Sequence, residues 1–104
     1  MVNTNTASPV RIRLVHAALA ALWAIARSAE TEPHAAGALL SARAAVRRGD
    51  YDAARVALGT VAVTSTSERV ATVAGYTYAT IEAPTDGEAF VAARGATDAA
   101  AVLA

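Results

Sequence analysis

The chain of 104 residues contains no cysteine, no lysine and no glutamine, and it has one tryptophan, one phenylalanine and two histidines. Without cysteine there is no disulfide framework and no thiolate metal site. Nucleophilic chemistry would have to draw its base from His16 or His34, and neither lies in a local catalytic motif. Zinc held by two histidines would need carboxylates such as Glu30 or Glu32, and the H-x-x-x-H and E-x-x-H spacings are missing. The glycines never form G-x-G-x-x-G or a phosphate loop. The carboxylate pairs, Asp50 with Asp52 and Asp86 with Glu88, fall at expected helix starts, where capping and the helix dipole already account for them. The expectation is a protein that is not an enzyme, with no catalytic, cofactor-binding or metal-binding residues.

Charge of either sign is scarce and cancels: nine arginines face nine acids. Its distribution is uneven. Residues 1 to 56 hold seven Arg against four acids, a balance of +3, and residues 57 to 104 hold two Arg against five acids, a balance of −3. Such halves can attract each other within or between chains, although a mixed surface is the plainer reading.

What the chain has in abundance is alanine, 30 of 104 residues. Alanine favours helices but buries little area, so a monomeric core built from it is thin and oligomerisation is expected. The Ala and Arg bias is that of a GC-rich genome, as in an actinobacterium or one of its phages. The densest apolar run is Leu14 to Ala26. Ile12, Val15, Leu19, Leu22, Ala26 and Ala29 fall on one helical stripe, and Val10, Leu14, Ala18, Ala21 and Ile25 cover much of the opposite side. Only Arg13, His16, Ala20 and Arg27 form a less apolar ridge. A helix apolar nearly all round is central, in a subunit contact or in a membrane.

Arg11 and Arg13 before this run, with Ala24-Ile25-Ala26 after it, also resemble a secretory signal with an A-x-A cleavage site. His16 interrupts the run and the basic residues come late, which argues against that reading. A transmembrane helix needs roughly 20 predominantly apolar residues, and this run is shorter and flanked by arginine. No membrane partner is expected, and cytoplasm is the default compartment.

Along the chain, residues 1–8 read as a disordered tail and 9–104 as one helical domain. Ser8-Pro9 is a start signal for a helix to about Ser28. A second helix begins at Thr31 or Glu32 with Pro33 in its first turn and should close at Gly49, with Arg43, Arg47 and Arg48 near its negative end. Asp50 then caps a third. From Thr60 to Glu82 the chain is rich in Val, Thr and Tyr, so a meander over 59–82 is the alternative reading. Ser67 as a cap and the spacing of Val70, Val73, Thr77 and Ile81 favour a helix ending at Ala83-Pro84. Thr85-Asp86-Gly87 is expected to cap a short helix, Glu88 to Arg94, and Thr97 or Asp98 to start a last one. Arg48-Gly49-x-x-Asp52-Ala53-Ala54 recurs as Arg94-Gly95-x-x-Asp98-Ala99-Ala100, read as a helix closing at glycine and another being capped.

The string RRGDYDAARVAL, residues 47–58, resembles the turn between the two helices of a tetratricopeptide repeat. The resemblance implies an antiparallel αα-hairpin. Its flanks depart from the family pattern: Ala45 and Leu58 stand where large aromatics are usual, and no proline closes the unit near Thr66.

The fold class expected is all-α, a small bundle of αα-hairpins packed on a central N-terminal helix, with α+β as the alternative. The function expected is protein interaction or assembly, by self-association or as a small subunit or adaptor. The partner-binding candidates are Ile12, Val15, Leu19, Leu22, Trp23, Arg27, Arg43, Arg47, Arg48 and Tyr51. Two alternatives are carried. One is a nucleic-acid-binding regulator using Arg11, Arg13, Arg27, Arg43, Arg47, Arg48 and Arg55, which stands only if those arginines share a face. The other is a small virion or other structural component.

Overall fold

In a computed structural model of the chain the described residues are 8–28 and 33–103, with the side chains of 28, 33, 34 and 103 excepted. Residues 1–7 of the tail expected over 1–8, Ala29, the cap at Thr31 or Glu32 and the His34 side chain lie outside them, while Ser8 is described and bonds to Arg11 and Asp86. Five helices follow one another: α1 (Pro9–Ser28), α2 (Pro33–Arg47), α3 (Tyr51–Thr64), α4 (Glu68–Glu82) and α5 (Asp86–Leu103). No strand occurs among the described residues.

Local signals set most boundaries. The Ser8 Oγ accepts from the Arg11 N–H at 3.0 Å, the Asp50 carboxylate from Ala53 at 3.1 Å, the Ser67 Oγ from Val70 at 3.3 Å and the Thr85 Oγ1 from Glu88 at 3.1 Å. Each cap satisfies an N–H that the first helical turn leaves without an internal acceptor. At the end of α2, Gly49 adopts φ +74, its N–H donates to the Val46 carbonyl and the Asp50 N–H donates to the Ala45 carbonyl. That is a Schellman closure, and the left-handed residue in it is the expected glycine.

The Val- and Thr-rich stretch is helical, which removes the meander alternative over 59–82. Val61, Val70, Val73, Thr77 and Thr80 are fully buried. The two threonine hydroxyls enter the core without loss, because each donates to the carbonyl four residues back, Thr77 to Val73 at 2.8 Å and Thr80 to Tyr76 at 2.9 Å. Burial against neighbouring helices and local satisfaction of the hydroxyls outweigh the strand preference of these residue types.

The C-terminal expectation is corrected. Glu88 to Arg94 and the segment after Thr97 are one continuous helix, α5, and Gly95 does not close it. The Thr97 hydroxyl donates back to the Arg94 carbonyl at 3.0 Å instead of capping a new helix. Gly95 is there for a tertiary reason: a Cβ on it would lie 2.6 Å from the Tyr76 Cε1 and 2.7 Å from Cδ1. The Tyr76 ring of α4 therefore packs directly on the α5 backbone. Gly95→Ala should lower stability by about 1 kcal/mol, the displaced ring outweighing the helix propensity gained, whereas in a Tyr76→Ala background it should raise stability by about 1 kcal/mol. Urea unfolding of the four proteins reads this reversal of sign.

The helices pack as a ring of four, α1–α4–α3–α2, with α5 laid against α1 and α4. The α2/α3 and α4/α5 hairpins are close, while α1 approaches α2 only lightly. Among the described residues eleven of the 21 buried apolar side chains are alanine, including Ala42, Ala45, Ala54, Ala74, Ala93 and Ala96. Interaxial distance follows the side chains at the contact, so alanine faces let these backbones close up. The core cluster draws on α1 to α5, with Leu22 and Leu58 its largest fully buried side chains. The N-terminal helix is one member of the ring, packed on α4 and α5, and the helix with the most extensive packing is α4, which meets α1, α3 and α5. The buried side of α1 combines the two sequence stripes, Val15, Leu19, Leu22 and Ala26 with Ala18 and Ile25. The Pro9–Arg27 stretch has the length and hydropathy of a membrane span, properties that a helix buried against protein neighbours shares.

At one end of the ring Arg11 ties three helix termini together. Its guanidinium donates to the Ile81 carbonyl of α4 at 3.2 Å and pairs with Asp86 of α5 at 3.3 Å, and Asp86 accepts from Ser8 at 2.8 Å. A cation on the last carbonyls of α4 complements the negative end of that helix.

Candidate cleft between α1 and α2

The light contact between α1 and α2 leaves a cleft of about 310 Å³. From α1 it is lined by His16, Leu19, Ala20, Trp23, Ala24 and Arg27, and from α2 by Arg43 and Arg47. The α1 residues recur at three- and four-residue steps and so share one face; Arg43 and Arg47 are one turn apart. Trp23 is half-buried at the edge of the core, and the Arg43 guanidinium lies over its indole, 4.5 Å from the ring centroid. This stack spans the gap that small side chains would have closed. The helix that lies over Trp23 is thus α2 of the same chain.

Among the described residues no acid offsets the positive charge of the cleft. Neither α1 nor α2 contains an Asp or Glu, while they carry Arg11, Arg13, Arg27, Arg43 and Arg47 between them. Arg11 is paired with Asp86, but no described acid pairs with Arg27, Arg43 or Arg47. Glu30 and Glu32 belong to the connection outside the described residues. Elsewhere five of the seven described acids are occupied: Asp50 by Arg48, Asp52 and Glu82 by Arg55, Asp86 by Arg11 and Asp98 by Arg94. Like charges one helical turn apart disfavour each other, so Arg43 and Arg47 gain from any anion that enters.

The ten sequence candidates divide. Trp23, Arg27, Arg43 and Arg47 come together at the cleft, with Leu19 as its apolar floor. Val15 and Leu22 face the interior and belong to the core, so they offer no free contact surface; Leu19 lies between the core and the cleft, and Ile12 is exposed near the start of α1. Arg48 is exposed and pairs with Asp50 at 3.6 Å across the α2–α3 junction. Tyr51 packs on the core at the start of α3, beside Arg11. Burial pushes its phenol above the usual tyrosine value, an effect that the Arg11 charge partly opposes. Of the seven arginines that a nucleic-acid face would use, Arg27, Arg43 and Arg47 line the cleft, Arg48 joins Arg43 and Arg47 at an adjoining opening, Arg11, Arg48 and Arg55 are paired with acids, and Arg13 is exposed on α1.

Sequence reasoning left His16 out of the site although it lies on the right side of α1. It also left out an exposed apolar face of α5, because that helix was expected to break at Gly95. Among the described residues no three His, Asp or Glu side chains gather as a metal site would require. No family model matches the chain, and neither a curated protein nor a solved structure matches it.

Proposed function

We propose that the protein is a non-enzymatic interaction module that takes an acidic segment of a partner protein into the α1–α2 cleft. The observation that carries this reading is the convergence of Arg27, Arg43 and Arg47, none paired with a described acid, around the half-buried Trp23. An aromatic ring and arginines around a small apolar floor are the groups that dominate protein contacts, because they bury much area and form directional bonds to carboxylates. Leu19, Ala20 and Ala24 supply that floor, so the segment that fits has an apolar residue flanked by carboxylates. A duplex would need a run of phosphate contacts along a face, and three arginines in a cleft give it few.

Trp23 is the only tryptophan, so its fluorescence reports on the cleft alone. A short glutamate-rich peptide with a central leucine should change that emission saturably, and the change should weaken as salt is raised. Arg47→Glu should weaken peptide binding about tenfold or more, equivalent to ~1.4 kcal/mol, with helicity unchanged. Absence of any change in the native protein refutes the reading. Tighter binding of an oligonucleotide than of the peptide would replace it with the nucleic-acid alternative.

A further inference from the structure

The outward side of α5 carries three large apolar residues with little cover, Phe90 at 52% exposure, Val91 at 70% and Val102 at 84%. Arg94, Asp98 and Ala101 are exposed between them. At 3.6 residues per turn these six positions fall within an arc of roughly 120°, so they form one face. Single exposed apolar residues are ordinary, but three on one face of one helix, around a single charge pair, are a patch. Arg94 and Asp98 pair with each other at 3.8 Å, both about 70% exposed, and so exposed a pair gains little from its present partner.

The order of residues along this face is self-complementary. Reading from Phe90 one meets apolar, apolar, positive, negative, small and apolar positions. Turned end for end about a point near Ala96, the face brings its apolar ends together and sets a positive charge opposite a negative one. We propose that α5 is the contact between two copies of this chain, paired antiparallel about a two-fold axis. In that register Arg94 meets Asp98 of the partner subunit and Asp98 meets Arg94 of the partner subunit. Phe90 lies over Ala101 of the partner subunit, and Val91 lies beside Val102 of the partner subunit. A two-fold contact requires such a face, because the same patch must satisfy itself. The charge complementarity selects a second copy as the occupant; an unrelated partner would have no reason to match this order. The contact is separate from the α1–α2 cleft, so a pair presents two clefts and binds a multivalent partner with increased avidity.

The test is a charge exchange followed by light scattering across a concentration range. The native chain should approach twice the monomer mass as concentration rises. Arg94→Asp alone and Asp98→Arg alone each set like charges against each other across the axis and should be monomeric, with unchanged far-ultraviolet circular dichroism. Mixed in equal amounts, the two variants should recover the dimer, because each then meets its opposite. Phe90→Ser should also weaken the native dimer by about tenfold or more. A native chain that stays monomeric throughout overturns the proposal, and so does a dimer indifferent to both charge changes. A mixture that fails to associate while the native chain dimerises overturns it as well. None of these measurements involves the acidic peptide, so the dimer and the cleft stand or fall separately.

Discussion

Leu58→Ala lowers the stability of this protein by about 3 kcal/mol and its thermal midpoint by roughly 15 °C. Leu58 is fully buried in α3, on the same line as Ala54 and Val61, and α3 packs between α2 and α4. Deleting its isobutyl group removes the transfer energy of the lost carbons and leaves a void that the helices cannot fill by moving closer. They are already close, because their facing side chains are largely alanine. The loss is a large fraction of the total, since domains of this size are stable by only about 5–10 kcal/mol. Few large side chains fill the interior. Among the described residues Leu22 and Leu58 are the only fully buried leucines, and the sole phenylalanine is on the surface. Thermal unfolding followed by circular dichroism, with urea unfolding as a second measure, checks the size of the effect. A loss below about 1 kcal/mol would mean that the site relaxes and the core is loosely packed.

Helix ends were legible in the sequence because their causes are local. A serine, threonine or aspartate before a helix acts on N–H groups two or three residues away, and Gly49 takes the left-handed closing position that its lack of a Cβ allows. The composition of α4 gave a divided signal, since valine and threonine suit strands. The decision in favour of helix rests on bonds four residues apart, which Thr77 and Thr80 make within the helix. Gly95 was misread for the opposite reason. In the sequence it repeats the pattern around Gly49, but its environment is set by the Tyr76 ring, nineteen positions earlier and on another helix.

The cleft was half legible. Arg43 and Arg47 are recognisable as a positive group near a helix end, and Trp23 as an aromatic beside a less apolar ridge. That these groups share one opening depends on the distance between α1 and α2, which follows from where small and large side chains meet. Sequence spacing assigns a residue to a side of its own helix and leaves open which helix will face that side. The stripes of α1 show this limit. Both are apolar, yet each is buried only in part: Val15, Leu19 and Leu22 are buried while Ile12 of the same stripe is exposed, and Ala18 and Ile25 are buried while Val10 of the other is exposed. A contact surface read from the stripes alone therefore took in much of the core.

If close alanine packing fixes the helix spacing, adding volume should harm the protein as removing it does. Ala54→Leu should lower stability by about 2 kcal/mol, although leucine is nearly as good a helix former as alanine. Ala54 is fully buried, one turn before Leu58 on the inner side of α3, so a larger side chain there must push α3 from a neighbour or leave its preferred rotamer. The exchange Ala54→Leu with Leu58→Ala keeps the side-chain volume of that line while moving it by one turn. The double variant should be more stable than the sum of the two single losses by roughly 1–2 kcal/mol, because the new leucine partly fills the void left by the old one. Additive losses would mean that the two positions face separate pockets and that volume cannot pass between them. Ala20→Leu is the control, since Ala20 is exposed on α1 at the cleft and a larger side chain there should change stability by less than about 0.5 kcal/mol.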